Sequence, residues 1–160
     1  EEEGYKPKLD VKGKKSLIPE KLKKADEVLI DIGTADLEVM KQALVMADRI
    51  VVPVPPSQAD IWSTQRFIQF VHSLDLQKKP EILCFINRGD THHAIRETDE
   101  AAAALIALPD IRFLKSRLSQ RTVFRRSFSE GMAVFEFNSR GTGTKEFNAL
   151  CAMLYPGLLG

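Results

Sequence analysis

The 160-residue chain has few of the residues that announce a special architecture: two cysteines, one tryptophan and two tyrosines. Two thiols cannot make a disulfide scaffold. Both Cys84 (in ILCFIN) and Cys151 (in NALCAMLY) sit in apolar surroundings and read as free core thiols in a reducing, cytoplasmic setting. Long hydrophobic runs are also missing. A membrane-spanning helix needs about 18 apolar residues in a row. The longest uncharged stretch, 147–160, is broken by Asn148, Pro156 and Gly157, so no membrane partner is expected. The first ten residues, EEEGYKPKLD, are polar and acidic, unlike a secretory signal. Nine glycines are present, yet none sets up the phosphate-cradling spacing G-x-x-x-x-G-K-[ST]. Lys14 follows Gly13, but no glycine lies five positions before it.

What remains is ordinary globular material. Hydrophobic residues make up 44% and charged residues 28%, which excludes a largely disordered chain. The length suits one domain, and a single α/β domain over 1–160 is expected. The net charge of +1 conceals segregation. Residues 1–24 carry +3. Residues 111–128 carry +6, with Arg112, Lys115, Arg117, Arg121, Arg125 and Arg126 and no acid. The rest of the chain is therefore net −8. A basic segment on an acidic body points to a surface facing a polyanion.

From residue 28 onward, short apolar runs alternate with helical patterns. VLIDI (28–32), RIVVPV (49–54), EILCFIN (81–87) and IRFL (111–114) read as buried strands. Helices are expected over 35–47, from Ser57 to about 72, and over 94–107, 120–130 and 143–154. Ser57, with Asp60 three residues on, suits an N-cap. Ser119 suits the cap of 120–130, and Gly131 its C′ position. Phe124 and Phe128 read as the core side of that helix, and Trp62 as packing. An edge strand near 5–11 and a helix near 16–24 complete the reading. Strand–helix alternation with apolar strands predicts a three-layer α/β fold: a mostly parallel sheet flanked by helices.

In such sheets, ligands sit beyond the carboxyl ends of the strands. Asp31, Pro55, Asn87 and Ser119 should therefore gather on one edge. Asp31-Ile32-Gly33-Thr34 ends an apolar strand with a carboxylate and a glycine, a pattern suited to ordering the water shell of Mg²⁺ or merely to capping a loop. Asn87-Arg88-Gly89-Asp90 offers an amide to a purine edge or forms a turn. Ser119-Gln120-Arg121 follows the fourth strand. His92-His93 reads as a surface helix start, because adjacent helical side chains diverge by about 100° and no third ligand is near in sequence.

Four segments in order, VLIDIGT, ALVMADRIVVPVPPSQADIWS, FINRGD and SQRTVFRRSFSEGMAVFEF, resemble the ParA/MinD group of deviant-Walker ATPases of the SIMIBI class, and most nearly its partition ParA members. The resemblance covers about residues 26–155 and implies a P-loop NTPase-like fold, of which the chain would be the C-terminal two-thirds. It implies an ATP/ADP- and Mg²⁺-dependent homodimer that coats DNA non-specifically to segregate plasmids or chromosomes. Such a protein is nucleoid-associated and is released by a ParB-like centromere-binding adaptor. Carried over by position, Asp31 would order Mg²⁺ through water, Gly33 would sense the γ-phosphate, and Asn87, Arg88 and Gln120 would contact nucleotide. Lys115, Arg117, Arg121, Arg125 and Arg126 would contact DNA phosphates. Ile32 departs from the small or proline residue common at that position. With no phosphate loop in the 160 residues, hydrolysis is not expected of this chain alone. A non-catalytic binding module is the alternative.

Overall fold

A computed structural model describes residues 13, 19–22, 24–33, 36–91 and 96–157 (of Lys21, only the backbone). The chain divides into two compact units, Glu1–Ala47 and Asp48–Gly160.

In the first unit the described elements are α1 (Pro19–Leu22) and α2 (Leu37–Met46). The Asp36 carboxylate caps α2 by accepting from the Val39 N–H at 3.1 Å. The expected strand 5–11 and His92-His93 lie outside the described residues. The expected strand 28–32 does not form. Residues 27–33 have no regular structure, and Leu29 is 83% exposed. An apolar run becomes a strand only where a neighbour supplies a hydrogen-bond ladder, and no strand occurs among the described residues of this unit.

The second unit holds the sheet. Strands β1 (Arg49–Val54), β2 (Glu81–Gly89) and β3 (Arg112–Phe113) lie side by side in that order, and β4 (Leu118–Ser119) pairs with the end of β2. All three pairings are parallel. The β1–β2 register runs from Arg49↔Glu81 to Val54↔Ile86. Of the strand expected at 111–114 only Arg112–Phe113 forms, and β4 lies beyond that run, after Leu114–Arg117.

Helix α3 (Gln58–Ser73) packs on β1, and α4 (Glu97–Ile106) on β2 and β3. The expected cap of α3 forms, with the Asp60 N–H donating to Ser57 Oγ at 3.1 Å. Ile61, Thr64, Ile68 and Val71 bury one face of α3 at helical spacing. On the opposite side of the sheet, Leu83, Phe85 and Leu114 close against Leu150 of α7 (Thr142–Leu154), with Leu118, Met153 and Leu154 around them. Ile82, Cys84 and Ile86 alternate with Leu83 and Phe85 and so face the other layer. All five are buried, as expected of a central strand covered on both faces.

β1 is less buried than its apolar sequence predicts. Val51 is 42% exposed and Pro53 is exposed, because β1 is the outermost of the described strands and the α7 cluster reaches only β2 and the segments after it. Pro53 has no N–H to give to a ladder, which confines such a residue to an edge.

Helices α5 (Thr122–Ser129) and α6 (Val134–Phe137) connect β4 to α7. α5 ends as expected at Gly131, with φ +64°. The Gly131 N–H donates to Phe128 O at 3.1 Å and the Met132 N–H to Ser127 O at 2.9 Å, which is the Schellman pattern. Thr144 Oγ1 shares its proton between Val134 O (3.1 Å) and Asn138 O (2.6 Å), tying the start of α7 to both ends of α6.

Two expectations fail on α5. Ser119 does not cap it: Ser119 belongs to β4, and the residue at the cap position is Arg121, without a side-chain cap bond. Phe128 is not core but 87% exposed, while Ser127 takes the buried position. Eight residues make barely two turns, and only one narrow stripe can face inward. Trp62, expected to pack, is also 55% exposed.

Candidate functional site

In the second unit the strands' carboxyl ends deliver Pro55 after β1, Asn87-Arg88-Gly89 at the end of β2, and Ser119 in β4 with Gln120 next. These three groups share the expected edge. The strand ends are joined by an irregular pairing, in which Asn87 opposes Leu118 and Gly89 opposes Ser119 with Arg88 left over. Arg88 adopts φ +56°, an unusual region for a residue with a Cβ. Such a bulge turns the strand and re-aims its side chains. Arg88 is exposed and Asn87 half-buried. The Gln120 N–H donates to Gly89 O at 2.8 Å, so the expected nucleotide contacts Asn87, Arg88 and Gln120 fall on two adjoining backbone segments.

An open cleft of about 390 Å³ adjoins this edge, lined by Thr91, Gln120, Arg121, Asn138 and Thr142 among others. Its wall is set by a close approach of α7 to α5: a Cβ on Gly143 would lie 2.6 Å from Val123 Cγ1.

The loop between β4 and α5 is held from α7 by Glu146, a residue the sequence reading did not single out. Its Oε1 accepts from Ser119 Oγ (2.8 Å), Arg121 Nε (3.0 Å) and Arg121 Nη2 (2.8 Å). Its Oε2 accepts from the Ser119 N–H at 3.0 Å. Burial pushes the Glu146 carboxyl up, but the hydrogen bonds from Arg121 and Ser119 outweigh it and hold the group below its ordinary range. A signal for it was present: Glu146 lies one turn before Leu150, on the face of α7 that enters the core.

Asp31 and Gly33 lie in the first unit, both exposed, in the stretch without regular structure. Among the described residues no group of three His, Cys, Asp or Glu side chains could hold a metal ion. A Mg²⁺ held through water by one carboxylate and mainly by phosphates would need no such group.

The basic segment is less free than its charge suggests. Arg112 pairs with Glu81 at 3.1 Å, Arg117 with Asp99 at 3.9 Å, and Arg121 with Glu146. Arg121, read as a DNA contact, thus has its guanidinium engaged within the fold. Lys115, Arg125 and Arg126 are exposed and form no ion pair among the described residues. Arg126 lies over the Phe137 ring, 5.4 Å from its centroid. No helix among the described residues is long and apolar enough to cross a membrane.

No protein-family profile matches the chain. Over 134 residues it is 24% identical to the maintenance of carboxysome distribution protein A of Halothiobacillus neapolitanus, covering 82% of this chain and 61% of that protein. Its fold is similar to that of apo McdA from Cyanthece, with TM-score 0.60 and 17% identity over 74% of this chain and 48% of the other. The chain thus spans about three-fifths of the length of the curated relative. These likenesses agree with the resemblance to the ParA/MinD group carried by the sequence motifs, and the mostly parallel sheet flanked by helices is a P-loop NTPase-like fold.

Proposed function

We propose that the chain is the C-terminal part of a ParA-type ATPase that positions a cargo along DNA through ATP-driven dimerisation. The observation that carries this reading is the Asn87–Arg88–Gly89 bulge held against Gln120 at the carboxyl end of a parallel sheet. Two amide side chains at such an edge offer the donors and acceptors that a purine edge needs. Arg88, with its positive φ at the same edge, would offer a cation to a phosphate or ribose.

Bound nucleotide would supply the phosphates and Mg²⁺ the counter-charge. Asp31 is the carboxylate suited to ordering the metal's water shell, and Gly33 the switch position beside it. Lys115, Arg125 and Arg126 are the cations free to meet DNA phosphates, and phosphate contact requires no sequence readout. Arg117 and Arg121 would contribute mainly by positioning. The curated relative's name suggests the cargo class: a large intracellular assembly such as the carboxysome, with plasmid or chromosomal DNA the other cargo of this protein type. A dedicated adaptor, ParB-like in role, would couple cargo to the dimer.

The test uses the protein extended upstream by its own reading frame. Asn87→Ala should raise the KM for ATP, and Asp31→Ala should lower kcat more than it weakens ATP binding. Equal ATP affinity and turnover in wild type and both variants would refute the assignment.

A further inference from the structure

We infer that Glu146 is a positioning residue for nucleotide: from α7 it fixes the turn that carries Gln120, and so sets how tightly the site holds a purine. The inference rests on the nucleotide reading above and adds to it a residue that does not itself touch the ligand.

The hydrogen bonds that Glu146 accepts from side chains and loop backbone all come from the two residues flanking Gln120. Ser119 gives its N–H (3.0 Å) and its hydroxyl (2.8 Å), and Arg121 gives Nε (3.0 Å) and Nη2 (2.8 Å). The Arg121 N–H donates to Ser119 O at 2.8 Å, which closes a three-residue turn with Gln120 at its centre. The Gln120 N–H donates to Gly89 O at 2.8 Å, next to Arg88 in the β2 bulge. The backbone of Gln120 is thus tied to β2, and both its neighbours are tied to α7. Its side chain is in a different state. Gln120 is exposed, it lines the cleft, and its amide makes no hydrogen bond among the described residues.

An unengaged amide on a fixed backbone suits a ligand that brings its own donors and acceptors, as a purine edge does. Such a ligand has only the side-chain torsions left to order, which lowers the entropic cost of binding. A carboxylate suits the holding task because it only accepts. Its two oxygens face donors from both ends of the turn. In Glu146→Gln one oxygen becomes an NH₂ group facing donors, and the grip on Ser119 or on Arg121 is lost. The same helix lines the cleft at Thr142 and Gly143, so α7 both shapes the cleft and sets the turn.

The test uses the protein extended upstream by its own reading frame and reads KM and kcat for ATP. Glu146→Gln should raise KM roughly two- to 12-fold, the worth of one hydrogen bond, with kcat changed by no more than about twofold. Gln120→Ala should raise KM by a similar factor. The double variant should match Gln120→Ala alone, because Glu146 acts through that side chain. Inhibition by inorganic tripolyphosphate, which has phosphates and no base, should be the same in wild type and all three variants. Ser119→Ala removes one of the bonds to Glu146; it should raise KM by less, and it serves as the second variant where Glu146→Gln folds poorly. Melts without nucleotide fix the folded fraction at the assay temperature. Loss of folded protein lowers the apparent kcat and leaves KM alone, so a merely structural Glu146 gives the opposite split.

Asn87→Ala separates failure of this inference from failure of the nucleotide reading. If Asn87→Ala raises KM while Glu146→Gln and Gln120→Ala do not, the reading stands and the inference falls. If the double variant loses much more than Gln120→Ala, Glu146 does not act through Gln120, and the inference falls again. A matching change in tripolyphosphate inhibition would place the effect on phosphates rather than on the base. A lowered kcat with unchanged KM in Glu146→Gln would make the carboxylate structural only. If KM is unchanged in Asn87→Ala as well as in the other variants, the nucleotide reading fails and this inference fails with it.

Discussion

Replacing Glu146 tests whether the β4–α5 loop is held from α7. The side chains of Glu146 and Arg121 are 18% and 28% exposed. Fully exposed ion pairs contribute about 0–1 kcal/mol, and breaking a fully buried pair costs about 3–5 kcal/mol. This pair lies between those limits. Its loss also strands the N–H of Ser119, a residue only 5% exposed, and an unsatisfied buried donor costs about 1–3 kcal/mol. We therefore expect Glu146→Ala to destabilise by about 3 kcal/mol. Glu146→Gln keeps the volume and one acceptor oxygen, and should cost about 1–2 kcal/mol. The pH dependence has a definite sign. The folded carboxyl lies below its ordinary value of 4.5. Its contribution is thus complete above that value and is lost as pH falls through the lower, folded pKa. Urea unfolding of wild type and Glu146→Gln should show the full gap at pH 7, narrowing only in acid, below the ordinary carboxyl value of 4.5. A double-mutant cycle with Arg121→Ala isolates the pair. A gap under about 0.5 kcal/mol at pH 7, or one that persists unchanged into acid, would refute the clamp.

Three further outcomes follow from packing. Gly143→Ala should destabilise the domain by about 1–3 kcal/mol in a thermal or urea melt, despite alanine's better helix propensity, because the new Cβ would meet Val123 Cγ1 at 2.6 Å; adding Val123→Ala should recover most of the loss. Leu114→Ala should cost about 2–5 kcal/mol in the same melts, since Leu114 is fully buried in the cluster closed by Leu150. Cys84, fully buried and with its thiol pushed up to about 11 by desolvation, should resist a thiol reagent at pH 7 until denaturant is added, with the more accessible Cys151 reacting first.

Where the sequence was legible, local chemistry and fold pointed the same way. EILCFIN is apolar throughout because β2 is central and covered on both faces, and the helix caps at Ser57 and Gly131 depend only on neighbours two or three residues away. RIVVPV was half legible. Its apolarity predicted burial, while Val51 and Pro53 are exposed because no further described strand pairs with β1 on its outer side. VLIDI was misread for a different reason. Strand formation needs a partner, and composition says nothing about whether one is near. Ser119 failed similarly: its hydroxyl suits a helix cap, but the hydroxyl and the adjacent N–H are both taken by Glu146, 27 residues away in sequence.

The charge on α5 shows why the candidate site was harder to read than the fold. Counting residues 111–128 gives six cations, and a count treats them alike. The fold divides them. Three are spent on Glu81, Asp99 and Glu146, whose distances in sequence hide the pairing. The three left free are Lys115, Arg125 and Arg126. One of these, Arg125, lies about one turn before Phe128, whose exposure contradicts its apolarity. Helical periodicity alone pairs Phe124 with Phe128 and assigns both to a core, because a four-residue spacing normally marks one buried stripe. In a helix of eight residues that stripe has room for Ser127 and little more, and the later aromatic is left on the outside. A residue whose chemistry favours burial, held outward at the closed end of a short helix, is the kind of local conflict that consistent folding removes unless the surface has a use for it.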